Sequence, residues 1–239
     1  MKRALVTGGS GAIGSAICRR LAADGMHVFV HANRNLDSAQ ELCNKIVKEG
    51  HSAQAVRFDV TDPAGCESAL EALLEEGPIQ VLVNNAGLHD DAVFPGMSAN
   101  QWHSVIDVSL NGFYNVTRPL TMPMIRTRWG RIVNITSIAG ITGNRGQTNY
   151  AAAKGALHAA GKSLALELAS RGITVNSVAP GIIESPMIEK AFDRESISRL
   201  VPMKRAGKPE EVAGLVGYLA SDLAAYVTGQ VISINGGMI

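Results

Sequence analysis

This chain has few of the features that would tie it to an oxidising compartment, a membrane or a nucleic acid. Its three cysteines, Cys18, Cys43 and Cys66, stand far apart in 239 residues and form no C-x-x-C pair. A disulfide framework or a structural zinc is thereby excluded as the organising device, and a reducing compartment is expected. Charges nearly cancel, 22 basic against 21 acidic, so no global field favours nucleic acid. No apolar run reaches the ~18 residues that a membrane span needs. "KGALHAAGKSLALELA" is rich in Ala and Leu but carries Lys, His and Glu. No linker or internal repeat divides the sequence, and no apolar leader fits before "RALVT". The six histidines are dispersed, and each reads as an ordinary surface or core histidine. The expectation is a soluble, cytoplasmic protein with no metal, nucleic-acid or membrane partner.

What is present is an alternation of short β-branched runs and helical stretches. "RALVT", "HVFVHA", "AQAVRFDV", "IQVLVNNAG", "GRIVNITS", "ITVNSVAPG" and "QVISINGG" read as seven strands. Helices are expected over 12–24, 36–49, 63–76, 98–128 and 149–170. The pattern predicts an α/β fold, a doubly wound Rossmann-type domain over residues 1–239 with a seven-stranded parallel sheet. Residues 181–208 are polar and broken by Pro186 and Pro202. They follow a strand's carboxyl end, where open α/β sheets bind ligands, so they read as a substrate lid.

"TGGSGAIG" follows the first strand and opens the first helix, the context that turns a glycine pattern into a phosphate cradle. It can be read in two registers. Gly9, Gly11 and Gly14 spell G-x-G-x-x-G; Thr7, Gly8 and Gly14 fit T-G-x-x-x-G-x-G with Ala12 for the middle glycine. An NAD site would place an acid at the end of the second strand. Here "HANRN" has none before Asp37, and Arg34, helped by Asn33, can face a 2′-phosphate. NADPH is therefore expected over NADH.

"TNYAAAKGAL" stacks Tyr150 and Lys154 on one helical face, four residues apart. Ser137, in "NITSIAG" thirteen residues upstream, ends a strand at the same sheet edge. A free phenol near pKa ~10 is a poor proton exchanger at neutral pH. A neighbouring ammonium and a cationic nicotinamide would favour the phenolate. Lowering the pKa by three units takes roughly 4 kcal/mol of differential stabilisation. Ser137 can then bind a carbonyl oxygen, Tyr150 deliver the proton, and Lys154 hold the ribose while tuning Tyr150.

These stretches, with "DVTD", "NNAG", "RGITVNSVAPGIIES" and "YVTGQVISINGGM", resemble the short-chain dehydrogenase/reductase family along the whole chain, in its group of 3-oxoacyl-acyl-carrier-protein reductases. The resemblance selects the T-G-x-x-x-G-x-G register, with Thr7, Gly8, Gly9, Ser10, Gly11, Ala12, Ile13 and Gly14 around the phosphates. Gly11 stands where the family often has a basic residue. The resemblance further implies Asp59 and Val60 at the adenine, and Asn84, Asn85, Ala86 and Gly87 on the ribose side. Pro180, Gly181, Ile183 and Ser185 would meet the nicotinamide. A homotetramer is implied, as are Arg128 and Arg171 as contacts for an acidic carrier protein. Ser109 stands where the family usually has asparagine, which links the lysine through a water to solvent. Asn111, about 200° further round a helix, faces the wrong way to replace it. A serine hydroxyl, or a carbonyl freed by a local helix irregularity, could hold that water instead. The activity implied is reduction of a 3-keto group on an acyl-carrier-protein or acyl-CoA thioester. Two alternatives stay open: a reductase of other small ketones, acyl-CoA, sugars or quinones, and a non-catalytic nicotinamide-binding regulator.

Overall fold

A computed structural model describes residues 1–186, 188 and 192–239. Seven parallel strands run β1 (Arg3–Val6), β2 (His27–Ala32), β3 (Ser52–Arg57), β4 (Val81–Asn84), β5 (Gly130–Ile135), β6 (Ile173–Pro180) and β7 (Val231–Ile234). They pair in the order β3-β2-β1-β4-β5-β6-β7. The chain therefore reverses direction across the sheet between β1 and β4, and at such a switch point the strand ends part to leave a crevice. Register sets Val6 beside both Val30 and Val83, so the loops that follow β1, β2 and β4 leave the sheet side by side.

Strand alternation splits the apolar residues between two cores. Ala4, Val6, Val28 and Val30 face one side, where α1 (Ala12–Ala23) and α2 (Leu36–Lys48) contribute Ile17, Leu21 and Ile46. Leu5 and Phe29 face the other, against α3 (Pro63–Leu74), with Leu70, and Leu120 and Met124 from the chain just before β5. Helix starts follow their caps. Asn35 accepts from the Ser38 amide, and Asp62 accepts from Ala64 with Pro63 in the first turn.

The long helix expected over 98–128 is interrupted. It divides into α4 (Ala99–Ile106), a π-helical turn at Asp107–Asn111 and α5 (Gly112–Thr127). The Gly112 amide reaches back to the Asp107 carbonyl, and Gly112 packs so closely on Val60 that a Cβ would lie 3.0 Å from it. Two further helices flank β5 and β6: α6 (Ala139–Thr142) and α7 (Thr148–Leu168), the latter tightening into a 3₁₀ turn at Ala169–Arg171. Part of the expected lid, residues 187 and 189–191, lies outside the described residues. Its described part holds α8 (Arg194–Leu200) and a bridge between Ile183 and Gly207. Beyond it α9 (Pro209–Ala220) packs on α1, a helix that the sequence reading left unassigned although Pro209 stands at its first turn. Among the described residues no helix is long and apolar enough to cross a membrane, and no group of ligating side chains could hold a metal. The three thiols are buried and unpaired, and burial pushes each of them up.

Candidate active site

The loop after β1 settles which glycines matter. Gly8 has φ +61°, a left-handed conformation that glycine adopts freely. At Gly14 a Cβ would collide with the Gly8 carbonyl and stand 2.8 Å from the Asn85 amide nitrogen. Gly11, by contrast, would meet nothing closer than 3.4 Å. Gly8 and Gly14 are thus required, Gly9 is also tight, with a Cβ there 3.0 Å from the Val6 carbonyl, and Ala12 is simply the first residue of α1. Gly11 caps that helix without a side-chain bond, and no acid stands in the first turn. The free amides and positive end of α1 fit a pyrophosphate.

The loop is held from two sides. Thr7 Oγ1 accepts from the amides of Asn85 (2.9 Å) and Ala86 (3.0 Å), while Asn85 Nδ2 donates to the Thr7 and Gly8 carbonyls. From β2, His31 is only 2% exposed, and its Nδ1 accepts from the Gly8 amide at 3.0 Å. Nε2 must then carry the proton, which it donates to the Phe58 carbonyl at 2.9 Å. Burial lowers the His31 pKa, opposed by the Phe58 carbonyl and Asp59. His31 is therefore no ordinary core histidine: as neutral imidazole it ties the phosphate loop to the end of β3.

At that end Asp59 Oδ1 accepts from the Thr61 amide and hydroxyl, which, with Asn33 and Arg34 facing it, hold the carboxyl below its usual range. Asn33 and Arg34 are exposed beside it. Val60 is buried, with its carbonyl accepting from Asn115 at 2.9 Å.

The side chains expected to act in catalysis converge one crossover away. Tyr150 lies in a small apolar pocket with Val105, Ala139 and Ala153. Burial pushes its phenol up to about 12, opposed by a hydrogen bond with Ser137 and reinforced by Asp91. The depressed phenol expected from sequence is thus not what the chain itself makes; desolvation outweighs the hydrogen bond from Ser137. Lys154 Nζ lies 5.6 Å from the Tyr150 ring centre and donates to the Ile135 carbonyl at 2.9 Å. Its burial brings it down to about 8, so the ammonium still predominates at neutral pH. Ser137 accepts from the Ala139 amide at 3.1 Å, which fixes its hydroxyl at the end of β5.

Ser109 is 3% exposed, and its Oγ has no partner among the described residues. A Cβ on Gly87 would lie 3.2 Å from Lys154 Nζ and 3.7 Å from Ser109 Oγ, so both groups border one gap. Asn111 points away and donates to Asp107 at 2.7 Å. On the far side of the crevice, Gly181 donates to Ile234, and the Ile183–Gly207 bridge uses the Ile182 carbonyl and Glu184 amide. That leaves the polar groups of Ile183 turned the other way. Pro180 accepts from the Ile138 amide, and Ser185 Oγ accepts from that of Ile188. Arg128 and Arg171 are not part of this assembly. They precede β5 and β6, at the opposite sheet edge, with Arg128 donating to the Ser170 carbonyl at 3.2 Å.

A family model described as enoyl-(acyl carrier protein) reductase matches residues 8–239. The 3-oxoacyl-[acyl-carrier-protein] reductase FabG of Aggregatibacter actinomycetemcomitans is 44% identical over 98% of each chain. The FabG of Escherichia coli (strain K12) is 43% identical over 99% of this chain and 97% of its own. Nodulation protein G of Rhizobium sp. (strain N33) is 46% identical over 99% and 96%. The chain belongs to the short-chain dehydrogenase/reductase family. As a member it is an oxidoreductase that uses a nicotinamide cofactor, and the bare α1 terminus and glycine cradle are suited to that group.

The His31 geometry has a consequence for stability. A histidine whose folded pKa is depressed stabilises the fold above its ordinary value near ~6.5 and loses that contribution as pH falls below it. Melting temperature is expected to fall between pH 7 and pH 5, and less steeply in His31→Gln, which keeps an acceptor and a donor. Equal slopes in the two proteins would show that His31 carries no such linkage.

Proposed function

We propose that the chain reduces the 3-keto group of an acyl thioester on acyl carrier protein, with NADPH, as a step of fatty acid synthesis. The observation that carries this reading is a Ser137–Tyr150–Lys154 set kept intact on a chain alike end to end to reductases so named. A nicotinamide held by the glycine loop and the α1 terminus would supply the hydride for the keto carbon. Ser137 holds the keto oxygen, and Tyr150, kept protonated by burial, donates the proton that completes the hydroxyl. Lys154 places its ammonium behind Tyr150, where positive charge favours the phenolate left by the transfer. Ser109, buried beside Lys154 at the π-helical turn, binds a water that returns the proton.

The family description, which names enoyl reduction, favours a second reading, in which a carbon–carbon double bond is reduced. A serine and a tyrosine hydroxyl close together beside the crevice suit a single carbonyl oxygen and favour the ketone. Turnover of acetoacetyl-CoA without turnover of crotonyl-CoA separates the two. Tyr150→Phe is expected to lose on the order of 10²–10⁴ in kcat. Ser109→Asn is expected to change kcat by less than about tenfold, because Tyr150 donates directly. A wild type that binds cofactor without turnover, revived a hundredfold by Ser109→Asn, would instead favour a regulator.

Arg34 selects NADPH, with Asn33, at the acid-free end of β2. Arg34→Ala should raise the KM for NADPH several-fold and leave that for NADH nearly unchanged. Equal effects on both, or a wild type that prefers NADH, would overturn the assignment.

Copies of the chain assemble as a tetramer in the cytoplasm through α4, α5 and α7. Support comes from Tyr114, Met122 and Leu166, which leave large apolar side chains exposed on α5 and α7. Assembly also gives the paired arginines a role, since the patch of one copy can flank the crevice of another and receive an acidic carrier. Steering charges act on association and fade with salt. Arg128→Glu with Arg171→Glu should therefore impair the carrier-linked substrate far more than acetoacetyl-CoA, most strongly at low salt. An equal loss on both substrates would show that the arginines do not read the carrier.

A further inference from the structure

His89 lies outside every role described so far. Its imidazole is stacked on the Tyr150 phenol, ring centres 4.2 Å apart and planes 29° from parallel. The side chain is otherwise exposed, so one face covers the phenol and the other is open. The stack is built rather than incidental. Asp90, next in the chain, accepts from Gln101 Nε2 at 2.8 Å, and its carbonyl accepts from Asn149 Nδ2 at 2.9 Å. Asp91 accepts from Gln147 at 2.8 Å, and the Ala92 amide donates to the Gly146 carbonyl. Asn149 is fully buried, and its Oδ1 accepts from the Tyr150 amide at 2.8 Å. One asparagine thus anchors both partners of the stack.

We propose that His89 is a positioning residue, which clamps the Tyr150 ring from the crevice side so that its hydroxyl stays on Ser137 and the reacting oxygen. The proposal rests on the reading of Tyr150 as proton donor. The apolar residues of the pocket close around the ring, and His89 covers its crevice face. Without it the phenol is free to swing into the crevice, and small misplacements of a donor cost much of its rate. The charged and titratable groups that face His89 are Asp91 from its own segment and Lys154 and Tyr150 from α7. Burial and Lys154 lower the His89 pKa against the pull of Asp91, so at neutral pH the clamp is uncharged. Flat shape rather than charge is then what it contributes, and phenylalanine can supply the same face.

The test compares wild type, His89→Ala, His89→Phe and Tyr150→Phe on acetoacetyl-CoA with NADPH, alongside cofactor binding followed by nicotinamide fluorescence. His89→Ala should lose about tenfold in kcat, with KM and cofactor affinity within about twofold of wild type. His89→Phe should return kcat to within about threefold. Unchanged kcat in His89→Ala, a loss confined to KM, or a His89→Phe as slow as His89→Ala with cofactor affinity intact would each overturn the clamp. A Tyr150→Phe that turns over like wild type would instead overturn the proton-donor reading beneath it.

Discussion

A parallel sheet covered by helices on both faces leaves its strand ends as the places where polar groups can act. Residues that face either side of β1, β4, β5 and β6 are packed into core, and an unpaired polar group there would be costly. Chemistry is consequently confined to the carboxyl edge, and the crossover between β1 and β4 decides where on it. Thr7 at the end of β1 and Asn85 past the end of β4 meet across that break and hold the glycine loop open between them. Every later feature, from the α1 terminus to the Tyr150 pocket, takes its position from this edge.

Most of that frame was legible in the sequence because strand and helix periodicities are local. The seven runs became seven strands, and Gly8, Gly14, Ser137, Tyr150 and Lys154 fell where their spacing placed them. The loop's own residues fit both glycine registers, and the folded chain adds the left-handed φ of Gly8 and the open space at Gly11 in favour of the one that the resemblance selects. His31 and His89 were passed over as ordinary histidines for a related reason. Their meaning lies in the Gly8 amide and the Tyr150 ring, distant in sequence and adjacent only after folding. A local irregularity near Ser109 is named from the sequence only as one option, because the π-helical turn at Asp107–Asn111 has no residue signature of its own. Helix α9 was missed because small residues in "EEVAGLVGYLA" blur its periodicity, and its close packing on α1 is tertiary.

Burial acts on the two titrating groups in opposite directions. It raises Tyr150 to about 12 and brings Lys154 down to about 8, because in each case the charged form is the one that loses solvation. The chain by itself therefore stores a protonated phenol beside an ammonium, which suits donation to a developing alkoxide. The same dry surroundings strengthen the attraction between ammonium and phenolate once the proton has gone. On the proposed mechanism, desolvation that makes the phenol a reluctant acid at rest makes the lysine beside it more effective during transfer.

Ser109 shows how a departure from the pattern that the resemblance implies could be absorbed. An asparagine there would present an amide; the serine presents a shorter hydroxyl from a helix segment already widened by its π-helical turn. The hydroxyl is buried, points to no partner among the described residues, and borders the same gap as Lys154. A buried polar group left without a partner is costly, so a solvent molecule bridging serine and lysine is favoured on energetic grounds alone. Such a water needs acceptors and donors from its surroundings rather than one particular side chain. On the proposed reading, a relay there depends more on the gap that Gly87, Ser109 and Lys154 border than on the residue at position 109.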